Sequence, residues 1–122
     1  RQKGIDNDAV KILAPFLAKM TVLEFLDLSG NSIGNEGAKS LAPVLAKMPA
    51  LEQLYLHENN IGDEGVKALA PFLANMPVLE GLNLSENKFG NEGAKALGPI
   101  LTKVPALKDF RFGGIYPYTV MV

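Results

Sequence analysis

A chain of 122 residues is long enough for one domain with a continuous core and too short for two ordinary ones. With 48% hydrophobic and 20% charged residues it is too apolar for disorder, and a formal net charge of −1 with singly scattered lysines lacks the basic footprint that nucleic acid requires. No apolar run approaches the roughly 18 to 20 residues that span a bilayer, no signal-peptide pattern opens the chain, and the absence of cysteine suits a reducing, cytoplasmic compartment.

Shifting the sequence against itself by 28 positions aligns Ile5, Ile33, Ile61 and Phe89, and residues 33–60 match residues 61–88 at 18 of 28 positions. This periodicity predicts a single domain, 1–122, with repeats at about 5–32, 33–60, 61–88 and 89–114 and an irregular segment at 115–122. The opening RQKGIDNDAVK enters directly at the helical half of a repeat, so no strand precedes 23–28 and its edge is left unpaired. In LEFLDLSGNSIG, leucine alternates with polar residues, which reads as a short half-buried strand. A helical half, GNEGAKSLAPVLAKM, follows, and then the strand half LEQLYLHENNIG. In the next helical half, Val66, Leu69, Phe72, Leu73 and Met76 fall at steps of three and four and form one apolar stripe, with Lys67, Pro71 and Asn75 opposite. LEGLNLSENKFG, GNEGAKALGPILTKV and LKDFRFGGIYPY complete the series.

The helix boundaries are also written locally. Asn35, Asp63 and Asn91, each followed by Glu, are expected to supply N-cap acceptors and negative charge at the positive end of the helix dipole. Pro49, Pro77 and Pro105 end the helices, with Thr21 standing in that place once. Internal Pro15, Pro43, Pro71 and Pro99 each remove a donor and crowd the carbonyl four residues back, which predicts kinks on the solvated face. Helix and strand alternating through short links imply parallel strands, each covered by a return helix: an open, right-handed α/β solenoid with the sheet concave and the kinked helices convex.

The pattern LxxLxLxxNxIG followed by GAKxLAPxLA resembles the leucine-rich repeat family, in particular its long-repeat, ribonuclease-inhibitor-like subtype. The resemblance covers residues 5 to about 112. It implies a buried ladder of Leu51, Leu54, Leu56 and Ile61, an asparagine ladder of Asn31, Asn59 and Asn87 bonded to neighbouring backbone, and a protein-binding concave face. In the last strand half, Phe110 and Phe112 replace leucine and Ile115 takes the asparagine place, so both ladders stop there.

Neither catalysis nor a cofactor is expected. The single histidine cannot make a zinc site, no serine sits in GxSxG, and Gly113-Gly114 is no phosphate loop. Glu24, Glu52 and Glu80 stack once per repeat as spaced charges on a solvated rim. Candidate binding residues are the non-leucine strand places and those just after them: Phe25, Asp27, Gln53, Tyr55, His57, Glu58, Asn83, Asp109 and Arg111. Phe25 and Tyr55 are the expected anchors, and Asp27, Glu58 and Glu86 would draw a basic partner. His57 reads either as a polar contact or as a variable exposed position. A four-strand face of order 300 Å² falls short of the roughly 800 Å² per partner of a standard interface, so rims or ends must contribute.

The expected function is therefore a non-enzymatic scaffold for a protein partner, with no nucleic acid, membrane or cofactor. Regulation of a small GTPase and a structural segment of a larger sensor are the alternatives. The solenoid ends are expected to be sticky: Ile115, Tyr116 and Tyr118 at least partly buried, within the chain or against a second copy in a homo-oligomer.

Overall fold

The computed structural model describes residues 4–113 and the backbone of 118–121. Helices and strands alternate as α1 (Asn7–Leu17), β1 (Phe25–Asp27), α2 (Asn35–Leu45), β2 (Gln53–Tyr55), α3 (Asp63–Leu73), β3 (Gly81–Asn83), α4 (Asn91–Leu97), α5 (Ile100–Lys103), β4 (Asp109–Phe112) and β5 (Tyr118–Met121). The first four strands are parallel, in sequence order, and each is offset by one repeat, so that Leu26, Leu54, Leu82 and Phe110 are successive partners. Each strand's leucines point between sheet and helices. Leu51, Leu54, Leu56 and Ile61 are wholly buried there, and Leu41, Leu45, Met48, Leu69 and Leu73 meet them from the helical side. Of the predicted α3 stripe, Val66, Leu69, Leu73 and Met76 are buried and Phe72 is half-buried, while Lys67, Pro71 and Asn75 face water.

The asparagine ladder runs one way along the solenoid. Asn59 donates through Nδ2 to the carbonyls of Leu56 (3.1 Å) and His57 in its own repeat and of Leu28 (2.9 Å) in the preceding one. Its Oδ1 accepts from the Ile33 amide at 3.0 Å. Asn87 repeats the arrangement against Leu56 and Ile61, and Asn31 accepts from Ile5. A buried amide costs several kcal/mol when unpaired, on the order of its desolvation, so a fully bonded one stitches neighbouring repeats together.

The helix caps differ from expectation. The N-cap positions of α2, α3 and α4 are Gly34, Gly62 and Gly90, which have no side chain to cap with. Asn35 and Asp63 are the first helical residues, and their Oδ1 atoms reach across to the next repeat. Asn35 accepts from the amides of Gly62 and Gly65 at 2.8 and 2.9 Å, and Asp63 from Gly90 and Gly93 at 2.8 Å. Asn7 does the same for Gly34 and Gly37. Among the described residues, only α1 is capped by its own flanking residue, Asp6, which accepts from Ala9. Each helix start thus leaves free N–H groups that the stack, and not the local sequence, satisfies. No following repeat is formed beyond α4 for Asn91 to cap among the described residues.

The internal prolines have two outcomes. α1, α2 and α3 continue through Pro15, Pro43 and Pro71, whereas the fourth helix breaks in two between Leu97 and Ile100. There Gly98 stands where Ala14, Ala42 and Ala70 stand in the other repeats. Glycine costs about 1 kcal/mol against alanine in a helix, and added to the lost proline donor it tips the balance.

The two ends also differ. Among the described residues, β1 pairs with β2 alone, and Asp6 bridges Ser32 just beyond it. At the other end β5 pairs antiparallel with β4, Phe110 opposite Val120, over part of the segment expected to be irregular. An antiparallel strand can return through a short connection without a crossover helix, which lets the chain close the β4 edge on itself. Ile115 and Tyr116, and the side chain of Tyr118, lie outside the described residues.

Candidate concave binding face

Alternation along the strands sends residues 25, 27 and 29, and their equivalents one repeat on, away from the core. Strand register then sets them in three rows. The first holds Phe25, Gln53, Gly81 and Asp109, and the second Asp27, Tyr55, Asn83 and Arg111. The third, beyond the strand ends, holds Ser29, His57 and Ser85. Eight of the nine candidate residues therefore share one face. Glu58 does not: it sits in the turn beyond β2, exposed, with a positive φ of 57°, beside Asn31, Ser32 and Asn60. Glu86 occupies the same place one repeat on, at φ 56°.

The residues on this face are not equally free. Asp27 accepts from both the amide (2.9 Å) and the hydroxyl (2.6 Å) of Ser29, and these bonds hold its carboxyl below the usual carboxylate value. Asn83 is engaged in the same way by Ser85. Both side chains pin the exit of their strands. Asp109 and Arg111 pair with each other at 3.3 Å across the edge of the face.

The aromatics form a line. Phe25 and Tyr55 meet edge to face with centroids 5.1 Å apart, and Tyr55 meets His57 at 5.9 Å. Phe25 keeps 51% of its surface exposed, so this cross-strand contact leaves it presented to solvent. His57 is half-buried, with Nδ1 shielded from water and unbonded, which favours a packed role over a freely variable one.

Between these groups lies a hollow of about 250 Å³, lined by Tyr55, His57, Gly81, Leu82, Asn83, Asp109 and Arg111. Its floor is Gly81, which the candidate residues omitted. A Cβ there would meet the Gln53 Oε1, which leans over the glycine. The sequence did carry a signal, since LEGLNL has glycine where the sister strands carry Phe25, Gln53 and Asp109. Among the described residues, no group of three or more His, Cys, Asp or Glu is placed to hold a metal ion, and no helix is long and apolar enough to cross a membrane.

Parallel strands stacked at one-repeat offsets, an asparagine ladder and a helix-free concave face define a leucine-rich-repeat solenoid. The Leucine Rich repeat family matches at residues 19–42, 47–70 and 75–98, starting points that keep the 28-residue period, and the chain belongs to this family. Among solved structures, it is similar to one titled "Leiomodin-1 Actin-Binding Site 2 (ABS2)", at 19% identity and a TM-score of 0.70 over 88% of this chain. The match spans 62% of that chain. A search of curated proteins finds no significant match.

Proposed function

We propose that the chain is a non-enzymatic scaffold that seats a protein partner on its concave face, with one partner side chain inserted into the hollow beside Gly81. The hollow carries the reading. At about 250 Å³ it is below the roughly 300–1,000 Å³ of small-molecule sites but large enough for a single side chain. Its walls combine an aromatic edge at Tyr55, the amide of Asn83 and the Asp109–Arg111 pair, a mixture that fits a polar-tipped partner residue. Phe25 and Tyr55 form the apolar flank, and Asp27, Glu58 and Glu86 favour a basic surface around it. The asparagine ladder and the 28-residue period accord with the ribonuclease-inhibitor-like subtype, whose long repeats present this kind of face. A cysteine-free chain suits work in the cytoplasm. Small-GTPase regulation is the weaker reading, because Arg111, the described arginine, is already paired with Asp109.

The test is capture of partners from a lysate by the wild-type chain and by Gly81→Gln, which copies the residue of the neighbouring strand into the hollow. Loss of a discrete wild-type partner, with circular dichroism unchanged, supports the concave site. Equal capture by both moves the site elsewhere. Purified actin is a first defined probe, since the similar solved structure is titled an actin-binding site.

A further inference from the structure

Beyond their first turns the helical halves carry one kind of charge: every charged residue of 9–19, 37–47, 65–75 and 93–103 is a lysine. Three of these lysines are paired with the glutamate three residues back, Lys39 with Glu36 at 3.4 Å, Lys67 with Glu64 at 3.7 Å and Lys95 with Glu92 at 3.5 Å. Lys11 and Lys47 have no ion partner among the described residues. Asp8 stands three residues before Lys11, but its side chain is one methylene shorter than those glutamates.

The two unpaired lysines border one feature. Between α1 and α2, on the convex side, runs a shallow, open groove of about 380 Å³. Ala14, Pro15 and Ala18 form one wall and Pro43 and Val44 the other, with Lys11 on the first and Lys47 on the second. Lys47 is the repeat equivalent of Lys19, eight residues past Lys11, so the two ammonium groups are anchored roughly 12 Å apart along the helix axes. The groove is open because of Val44. The same helix place holds Phe16 in α1 and Phe72 in α3, larger side chains, and Phe72 stands half-buried there. Both walls are formed helices, so the groove does not depend on what lies on the outer side of α1.

We infer that this groove is a second binding site, separate from the concave face, and that its occupant is an acidic amphipathic helix of a partner protein. The backbone of both walls is bonded within its own helix. An extended peptide would find no strand edge there and would hold its own N–H and C=O groups against alanine and proline, whereas a helix arrives with its backbone already satisfied. Two apolar residues at i+3 and i+4 enter over Val44. Acidic residues at i and i+7 then lie on the same face, about 10.5 Å apart, and the long lysine stems close the remaining distance. Asp27, Glu58 and Glu86 stand with the strands and the turns beyond them, so their charge steers such a helix to the convex side. The inference stands whether or not the concave hollow takes a ligand.

The probe is a fluorescein-labelled, alanine-based helical peptide carrying Glu-x-x-Leu-Leu-x-x-Glu, titrated with the full chain by fluorescence anisotropy and located by amide chemical-shift mapping. A dissociation constant on the order of 100 μM is expected for one short helix, with shifts at Ala14, Ala18, Ser40 and Val44. Glutamine in place of both peptide glutamates should weaken binding about tenfold, a difference that high salt should remove. Val44→Phe copies the α3 residue into α2 and should abolish binding with circular dichroism unchanged. Lys11→Glu with Lys47→Glu, both on exposed side chains, should weaken the acidic peptide about tenfold or more and bind instead the peptide with lysine at both glutamate places. If Val44→Phe does not fold, the charge exchange decides alone. A wild-type chain that does not bind the peptide overturns the proposal, as do shifts confined to the concave strands or a charge exchange that fails to swap the two peptides. Adherence to phosphatidylserine vesicles in place of the peptide overturns it too.

Discussion

The side-chain oxygen of Asn35 lies 2.9 Å from the amide nitrogen of Gly65, one repeat further on, and it accepts the Gly62 amide at the same time. One residue thus begins α2 and caps α3. The close approach also explains the glycine, because a Cβ on Gly65 would stand 2.8 Å from that oxygen and 2.7 Å from the Ile61 Cγ2. Gly65→Ala should therefore destabilise the protein by about 1–3 kcal/mol, although alanine is the better helix former by about 1 kcal/mol. Urea unfolding measures it, and a stabilised variant would show that the cap does not need the space.

Asn35→Ala removes the acceptor for two helix-start amides and should cost about 1 kcal/mol, the usual worth of an N-cap. The loss should appear at the α2–α3 junction, as faster amide exchange at Gly62 and Gly65. Protection there equal to wild type would contradict the cross-repeat cap.

Asp63 plays the same part with a carboxylate, which the Gly90 and Gly93 amides hold below its ordinary value of 3.8. Between the lowered and the ordinary value, the unfolded chain binds more protons than the folded one. The stabilisation is therefore complete above the ordinary value and is lost as pH falls through the lowered one. Asp63→Asn keeps the acceptor, as Asn7 and Asn35 do in earlier repeats, but cannot titrate. Its stability should fall less steeply in acid than that of the wild type, and identical acid limbs would refute the assignment.

Asn59 bonds four backbone groups from a buried position, so Asn59→Ala should cost about 2–4 kcal/mol by chemical denaturation. Asn59→Asp should do no better, because it would aim an oxygen at the carbonyls of Leu28 and Leu56.

Gly98 breaks the fourth helix, and a Cβ there would meet only the Lys95 carbonyl, at 3.4 Å. Gly98→Ala should stabilise the chain by about 0.5–1 kcal/mol and raise helical circular dichroism. A destabilised variant would mean that the break relieves strain at Pro99.

For the concave face, Phe25→Ala with Tyr55→Ala should weaken a captured partner about tenfold or more, as loss of aromatic anchors does, while leaving circular dichroism unchanged. Undiminished affinity would place the contact off the aromatic line.

The sequence by itself determined what recurs within one repeat. The Leu51, Leu54 and Leu56 spacing, the α3 stripe and the place of Asn59 are legible because each buried residue is chosen by the local period of its own strand or helix. The tertiary structure decided what happens between repeats and at their ends. Asn35 and Gly65 are thirty residues apart, and only the stacking register turns an apparent self-cap into a cap for the next helix. The hollow beside Gly81 likewise needs Tyr55, His57, Asp109 and Arg111 brought alongside from two other repeats. Glu58 left the face because a left-handed turn redirects it, and β5 closed one edge because an antiparallel return was short enough.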